Sequence, residues 1–261
     1  MDIKILASGS KGNATLITTK TAKVLIDCGI TYRQILSRQN ILRKEDFSLD
    51  ALLITHEHTD HICGINTLLG NHPVKVFLSQ GTKNGIDSRG YDKLGKADVQ
   101  IVREWDKIII NDLVVTPFNI SHDANEPLGY ILESDGKRLV YVTDTGYLNS
   151  NYFSRLENAD MYILESNHDI EMLLESKRTF ALKERIFSDL GHLSNEDSAF
   201  FFFKLRGEKT KKIALAHLSD ECNSEEKALM TYFDIFNAYD SDISELEIII
   251  AKQNFAVETK L

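Results

Sequence analysis

The densest group of chemically able side chains is His56-Glu57-His58-Thr59-Asp60-His61, which holds three of the chain's eight histidines. His56 and His58 are two residues apart and can converge on one metal ion. Asp60 and His61 extend past them and can reach a second. All four donors are nitrogen or oxygen, which suits Zn, Mn or Fe and argues against a structural thiolate zinc site. A second group is Ser8-Gly9-Ser10-Lys11-Gly12-Asn13. Two glycines permit a tight turn with exposed backbone N–H groups, and Ser, Lys and Asn add donors. Such a nest can hold a phosphate; equally, the stretch is a plain loop joining two strands. It lacks the P-loop pattern, so no nucleotide cofactor is expected. His168, beside Glu165 and Asp169, either lines a cleft or is a hydrogen-bonded loop residue.

Positioning these groups requires rigid elements. Ala51–Thr55 is a short apolar run that reads as a buried strand, and the histidine block leaves its end directly. Strands are also expected at Ile3–Leu6, Ala14–Thr18, Lys23–Asp27, Val74–Leu78, Lys107–Ile110, Leu113–Pro117, Gly129–Glu133 and Leu139–Thr143. Later strands are expected at Met161–Glu165, Lys212–Ala216 and Glu245–Ala251. Asn111-Asp112 and Asp135-Gly136 separate their flanking runs at hairpin distance. Helices are expected over Tyr32–Gln39, Leu148–Glu157, Asn195–Leu205 and Ser224–Phe236. Meander-like strands followed by helix–strand alternation suggest two sheets with helices packed outside.

The chain has 261 residues, 43% of them hydrophobic, and no Pro- or Gly-rich linker. We expect one continuous domain, 1–261. No apolar run reaches the ~20 residues a membrane helix needs, so no membrane partner is expected. Three scattered cysteines and no basic-then-apolar leader fit a reducing cytoplasm. The net charge of -9 argues against coating nucleic acid by bulk charge. It leaves room for an enzyme that holds a phosphodiester with metal ions.

His56-x-His58-x-Asp60-His61 resembles the defining motif of the metallo-β-lactamase fold superfamily of hydrolases. Four further segments are similar to that superfamily's pattern, in order: Leu25-Ile26-Asp27-Cys28-Gly29, Ile120-Ser121-His122-Asp123, Thr143-Asp144-Thr145-Gly146 and Ala214-Leu215-Ala216-His217-Leu218-Ser219. The resemblance implies an α/β fold, an αββα sandwich of two mixed β-sheets flanked by helices. It implies two divalent metal ions per chain, Zn or Mn, with Fe a further choice. His56, His58 and His122 would hold the first ion and Asp60, His61 and His217 the second, with Asp144 bridging. A metal-bridging hydroxide would be the nucleophile, and Asp60 is carried over as a catalytic residue as well as a ligand. Asp27 reads as orienting a ligand from behind, or as a strand-end turn residue.

Asp144 and the absence of an export signal argue against an antibiotic-hydrolysing member. The short spans from His122 to Asp144 and from Asp144 to His217 leave no room for the inserts of RNA-processing members. Leu190-Gly191-His192-Leu193-Ser194 resembles phosphodiesterase members, whose corresponding His assists departure of the leaving oxygen. The alternative for His192 is a structural hydrogen bond beside a helix cap. Leu6–Ala14 and Leu164-Glu165-Ser166-Asn167-His168-Asp169, with Gly191–Ser194, are similar to the YycJ/WalJ family of bacteria. That resemblance implies a DNA substrate, 5′-to-3′ exonuclease action and a link to DNA repair. Ser8, Ser10, Asn13 and His168 would be substrate contacts and His192 the proton donor. Competing classes are a small-molecule (cyclic phosphate) phosphodiesterase, a thioester hydrolase, and a non-catalytic metal-binding regulatory protein. The oligomeric state is left open.

Overall fold

The computed structural model describes residues 1–91 and 93–261. Among the described residues the strands are β1 (Asp2–Ala7), β2 (Ala14–Thr18), β3 (Lys23–Ile26), β4 (Ala51–Leu53), β5 (Lys75–Leu78), β6 (Val99–Ile101) and β7 (Ile108–Ile110). They continue as β8 (Leu113–Asn119), β9 (Leu128–Ser134), β10 (Lys137–Val142), β11 (Met161–Glu165), β12 (Lys212–Ala216), β13 (Glu247–Ile250) and β14 (Val257–Lys260). The helices are α1 (Tyr32–Arg38), α2 (Thr59–Ile62), α3 (Ile65–Asn71), α4 (Gln80–Ser88), α5 (Phe153–Leu156), α6 (Ile170–Glu175), α7 (Phe180–Phe187), α8 (Asn195–Leu205) and α9 (Glu225–Ala238). The strands make two mixed sheets of seven strands each, accompanied by helices. The chain divides into two compact units.

The first unit comprises Met1–Asn119, Ala124–Lys137 and Lys252–Leu261. Its sheet has the order β14-β1-β2-β3-β4-β5-β6. β14, β1, β2 and β3 run antiparallel, and β3 through β6 run parallel. The antiparallel ribbon β7-β8-β9 belongs to the same unit. Alternation along β8, with Leu113 and Val115 buried and Val114 and Thr116 half-buried, marks one inward face. The β7–β8 loop is two residues, and Asn111 takes a φ of 52° there, as a tight hairpin requires. Leu6, Leu25, Ile35, Leu52, Ile62, Leu68, Val76 and Ile86 form one core cluster that seals the sheet beneath α1, α3 and α4.

The second unit comprises Ile120–Asp123 and Arg138–Ala251. β10, β11, β12 and β13 are consecutive parallel strands. β11 is buried at every position, as expected of a parallel strand covered on both faces. α8 packs on α9 and on β11. Tyr162, Phe202, Tyr232 and Phe236 meet in this layer, with ring centroids 5.6–6.1 Å apart. The buried Tyr162 hydroxyl has Leu156 O and Leu205 O within reach of its one proton, at 2.8 and 2.9 Å, and accepts from Ala159 N at 3.1 Å, which removes the cost of burying it.

The strands expected from sequence are present. The helix expected over Leu148–Glu157 is a single 3-10 turn (Ser150–Tyr152) followed by the short α5. Asn149 and Ser150 compete for backbone hydrogen bonds there, and Asn149 accepts from Asn151 N. α3, α4, α6 and α7, none longer than nine residues, carry no long apolar period and lie outside the expected helices. β6 and β14 lie outside the expected strands: β6 is three residues with none buried, and β14 alternates half-buried and exposed, with its partner β1 at the other end of the chain.

Candidate metal centre

In parallel sheets the carboxyl ends of the strands share one edge, where ligands gather. In the first unit, β3 delivers Asp27 to that edge and β4 delivers Thr55 and His56. Asp27 adopts a φ of 61°, a left-handed conformation that is sterically disfavoured for a residue with Cβ. The turn drives its carboxylate, which is fully buried, into the histidine block. Asp27 Oδ2 accepts from His61 Nδ1 at 2.8 Å and from Thr55 Oγ1 at 2.8 Å, and Oδ1 accepts from Thr55 N at 2.8 Å. Thr55 Oγ1, its proton committed to Asp27, accepts from His56 Nδ1 at 3.0 Å. One carboxylate therefore orients two imidazoles and places the proton of each on Nδ1, which leaves Nε2 as the metal-binding atom. Burial pushes the Asp27 carboxyl up, while the charge and hydrogen bond of His61 and the Thr55 bonds pull it back; the net direction is up.

His56 lies 4.6 Å from His58 and 4.0 Å from His61, ring centroid to centroid. Asp60 Oδ2 is 3.5 Å from His61 Nε2. The loop is clasped from outside. Asn13 N donates to Asp60 O at 2.7 Å and Cys28 N to His61 O at 2.8 Å. A Cβ on Gly29 would lie 1.6 Å from Asp60 O, so only glycine allows this approach. Asn13 is buried: its Nδ2 reaches His61 Nε2 at 3.0 Å and Gly9 O at 3.1 Å, and its Oδ1 accepts from Gly9 N at 2.8 Å. Ser8 is buried and Ser10 exposed.

In the second unit, Asp144, Glu165 and His217 leave the ends of β10, β11 and β12, three adjacent parallel strands. Asp144 and His217 both have a φ of 56°, the same device as Asp27. Together with His192, these residues place donor atoms within 4.8 Å of one another. Glu165 is the hub. Its Oε1 accepts from His192 Nδ1 at 2.8 Å and from His217 Nδ1 at 3.0 Å. Its Oε2 accepts from Thr145 N at 2.8 Å and Leu193 N at 3.3 Å. Burial opposes ionisation of Glu165, but the charge of His192 and the bonds from His192 and His217 outweigh it and hold the carboxyl below its usual range. His217 Nε2 is 3.3 Å from Asp144 Oδ1, and the His192 and His217 rings stack at 5.3 Å. His122 Nδ1 donates to Gly191 O at 3.1 Å, which turns Nε2 the other way. His168 is 1% exposed, and neither of its ring nitrogens has a hydrogen-bond partner among the described residues. Burial lowers its pKa to about 4, so it is neutral at pH 7.

Each unit thus offers imidazoles whose Nδ1 sides are already committed, His56 and His61 in the first and His122, His192 and His217 in the second, with carboxylates beside them. This donor set fits divalent ions of the Zn and Mn type. Sequence reading missed Thr55 as the relay to His56 and Glu165 as the hub. Glu165 had one available signal: it ends the apolar run of β11, as Asp144 and His217 each follow the apolar run of their own strand.

The family model described as Beta-lactamase superfamily domain matches residues 22–217. The chain belongs to this family. Among curated relatives of this superfamily member, Exodeoxyribonuclease WalJ of Streptococcus pneumoniae serotype 2 is 41% identical over 230 residues, 87% of this chain and 85% of its own. Exodeoxyribonuclease YycJ of Bacillus anthracis is 34% identical over 88% of this chain and 87% of its own. The metallo-β-lactamase fold protein YhfI of Bacillus subtilis superposes with a TM-score of 0.72 over 99% of this chain and 98% of its own, at 17% identity. The superfamily member described here is a metal-dependent hydrolase with this fold. No helix among its described residues is long and apolar enough to cross a membrane.

Proposed function

We propose that the chain is a two-metal phosphodiesterase that removes nucleotides from DNA in the 5′-to-3′ direction. It would act in the cytoplasm, in DNA repair, as one domain of residues 1–261. The two relatives named exodeoxyribonucleases support the substrate. The observation that carries the chemistry is Glu165. One buried carboxylate holds both His217, whose other nitrogen lies beside Asp144, and His192. A diester leaving group needs a proton beside the activating charge, and this pairing supplies one from a ring that is not itself needed as a ligand.

His56, His58 and His122 would hold one ion, Asp60, His61 and His217 the other, and Asp144 both. Zn or Mn in those positions supplies Lewis-acid charge and water acidic enough to ionise near neutral pH. The chain's own residues do the rest. Asp27 and Thr55 keep His56 and His61 in the correct tautomer. Asp60 orients the attacking water. A proton held at His192 Nε2 passes to the departing oxygen. Ser8, Ser10 and Asn13 anchor the terminal phosphate. The wide φ values of Gly9 and Gly12, 141° and 148°, support a tight turn there. His168, neutral and buried, would line the substrate cleft from behind Phe187.

The test is digestion of end-labelled single- and double-stranded DNA and RNA with Mn and Zn compared. Stepwise loss from 5′ ends of DNA is expected, faster with a 5′-phosphate. Digestion from 3′ ends, or cleavage of small cyclic phosphates alone, would overturn the substrate assignment.

A further inference from the structure

α7 carries features that the metal centre does not use. Phe180, Lys183 and Phe187 are spaced three and four residues apart, so they share one helix face. Phe180 is 81% exposed and Phe187 42%. Ile186 is buried and pins the helix on another side. Between residues 176 and 187 lie four cations (Lys177, Arg178, Lys183, Arg185) and one anion (Glu184), within a chain of net charge -9. The segment is ordered by its own polar bonds: Lys183 Nζ donates to Leu174 O at 2.5 Å, and Arg178 Nε to Glu221 at 3.1 Å.

The exposed face leads to the proton donor. Phe187 precedes His192 by five residues. The turn between them is closed by Gly191 N to Ser188 O at 2.8 Å and His192 N to Ile186 O at 3.0 Å. The edge of Phe187 meets the ring of His168 at 5.3 Å and 84°. Gly146 lies directly against Ser188 and Asp189 of this turn, and its neighbour Tyr147, 42% exposed, sets its ring against Phe201 at 6.1 Å.

We propose that the Phe180–Lys183–Phe187 face of α7 is a stacking platform for unpaired bases of a single-stranded nucleic-acid end approaching His192. This rests on the nuclease reading above and specifies the form of its substrate. Every base has a π-face, so aromatic platforms flanked by cations bind single strands with little regard to sequence. Seven helical residues span roughly 10 Å, room for about two extended nucleotides, with Lys183 at the phosphate between. A blunt duplex end already stacks its bases on one another and cannot use the platform.

The experiment is fluorescence anisotropy of metal-loaded protein with a 12-nucleotide strand carrying hydrolysis-resistant phosphorothioate links, against an abasic strand of equal length and charge. Base stacking of the usual strength predicts that the base-bearing strand binds about 5- to 150-fold tighter for each base that stacks. Phe180→Ala and Phe187→Ala should each reduce that preference about fivefold or more, while Phe180→Tyr and Phe187→Tyr retain it. Phe180 is so exposed that its removal leaves folding intact, and thermal melting checks Phe187. Equal affinity for the two strands, or variants that keep the full preference, would overturn the platform. So would self-association at the assay concentration that is lost on Phe180→Ala. Failure of all DNA hydrolysis would instead strike the nuclease reading, since binding is read separately from cleavage.

Discussion

At the scale of single residues, two carboxylates organise the chemistry without being metal donors in the proposed site. Asp27 aligns His56 through Thr55 and His61 directly; Glu165 aligns His192 and His217. Glu165→Gln keeps the volume but offers an amide where two imidazoles need an acceptor. Turnover should fall by about 10²–10⁴-fold, the range of a lost acid–base group, with the fold retained by circular dichroism. His192→Ala should fall as far with metal content unchanged. Loss of an ion from that variant would show that His192, not His217, is the ligand. His168 makes a different prediction. Its pKa is about 4 in the folded protein against an ordinary 6.5. As pH drops from 6.5 to 4 the unfolded chain takes up a proton that the folded chain refuses, so folding stability falls across that window. The loss approaches about 3 kcal/mol. His168→Asn should narrow the difference in melting temperature between pH 7 and pH 4.5. An undiminished difference would place the acid sensitivity elsewhere.

At the scale of elements, strand ends do the positioning. Asp27, Asp144 and His217 each leave a parallel strand through a left-handed residue. Such backbone costs about 1–3 kcal/mol each and persists where the surroundings over-determine it. The turn from α7 to α8 is equally constrained. A Cβ on Gly191 would sit 2.3 Å from both Arg185 O and Ile186 O, main-chain atoms that cannot swing away. Gly191 O also holds His122 Nδ1. Gly191→Ala should therefore displace His122 and His192 together. Misplacement of about 1 Å can cost ~10²-fold in rate, and assay of kcat at saturating metal would register it. Activity near wild type would mean that the turn relaxes without moving either ring.

At the scale of the whole molecule, each unit has its own packed interior: the cluster around Leu25 and Leu52 in one, the Tyr162–Phe202–Phe236 layer in the other. The protein should remain folded without metal. Elemental analysis should find two ions per chain, and chelation should abolish hydrolysis while preserving the far-ultraviolet spectrum. Restoring metal should raise the melting temperature, since a ligand at a hundred times its Kd adds about 2.7 kcal/mol. Fewer than about one ion per chain after reconstitution, or unfolding on chelation, would contradict this picture.

Local signals in the sequence were enough for every strand but β6 and β14, because alternating or continuous apolar runs and Asn-Asp or Asp-Gly turns act over a few residues. The same held for the histidine block, whose donors are adjacent in sequence. His122, Asp144 and His217 are isolated residues that became candidates through resemblance alone. The tertiary structure decided what depends on register between distant strands. β14 exists only because β1 accepts it. Asp27 is more than a turn residue because β3 and β4 run parallel and set Thr55 and His61 against it. Glu165 becomes a hub because β11 lies between β10 and β12, which brings residues 21 and 52 positions away in sequence (Asp144 and His217) to one edge. No window along the chain contains those pairings, since they arise from hydrogen-bonded strands that meet only after folding.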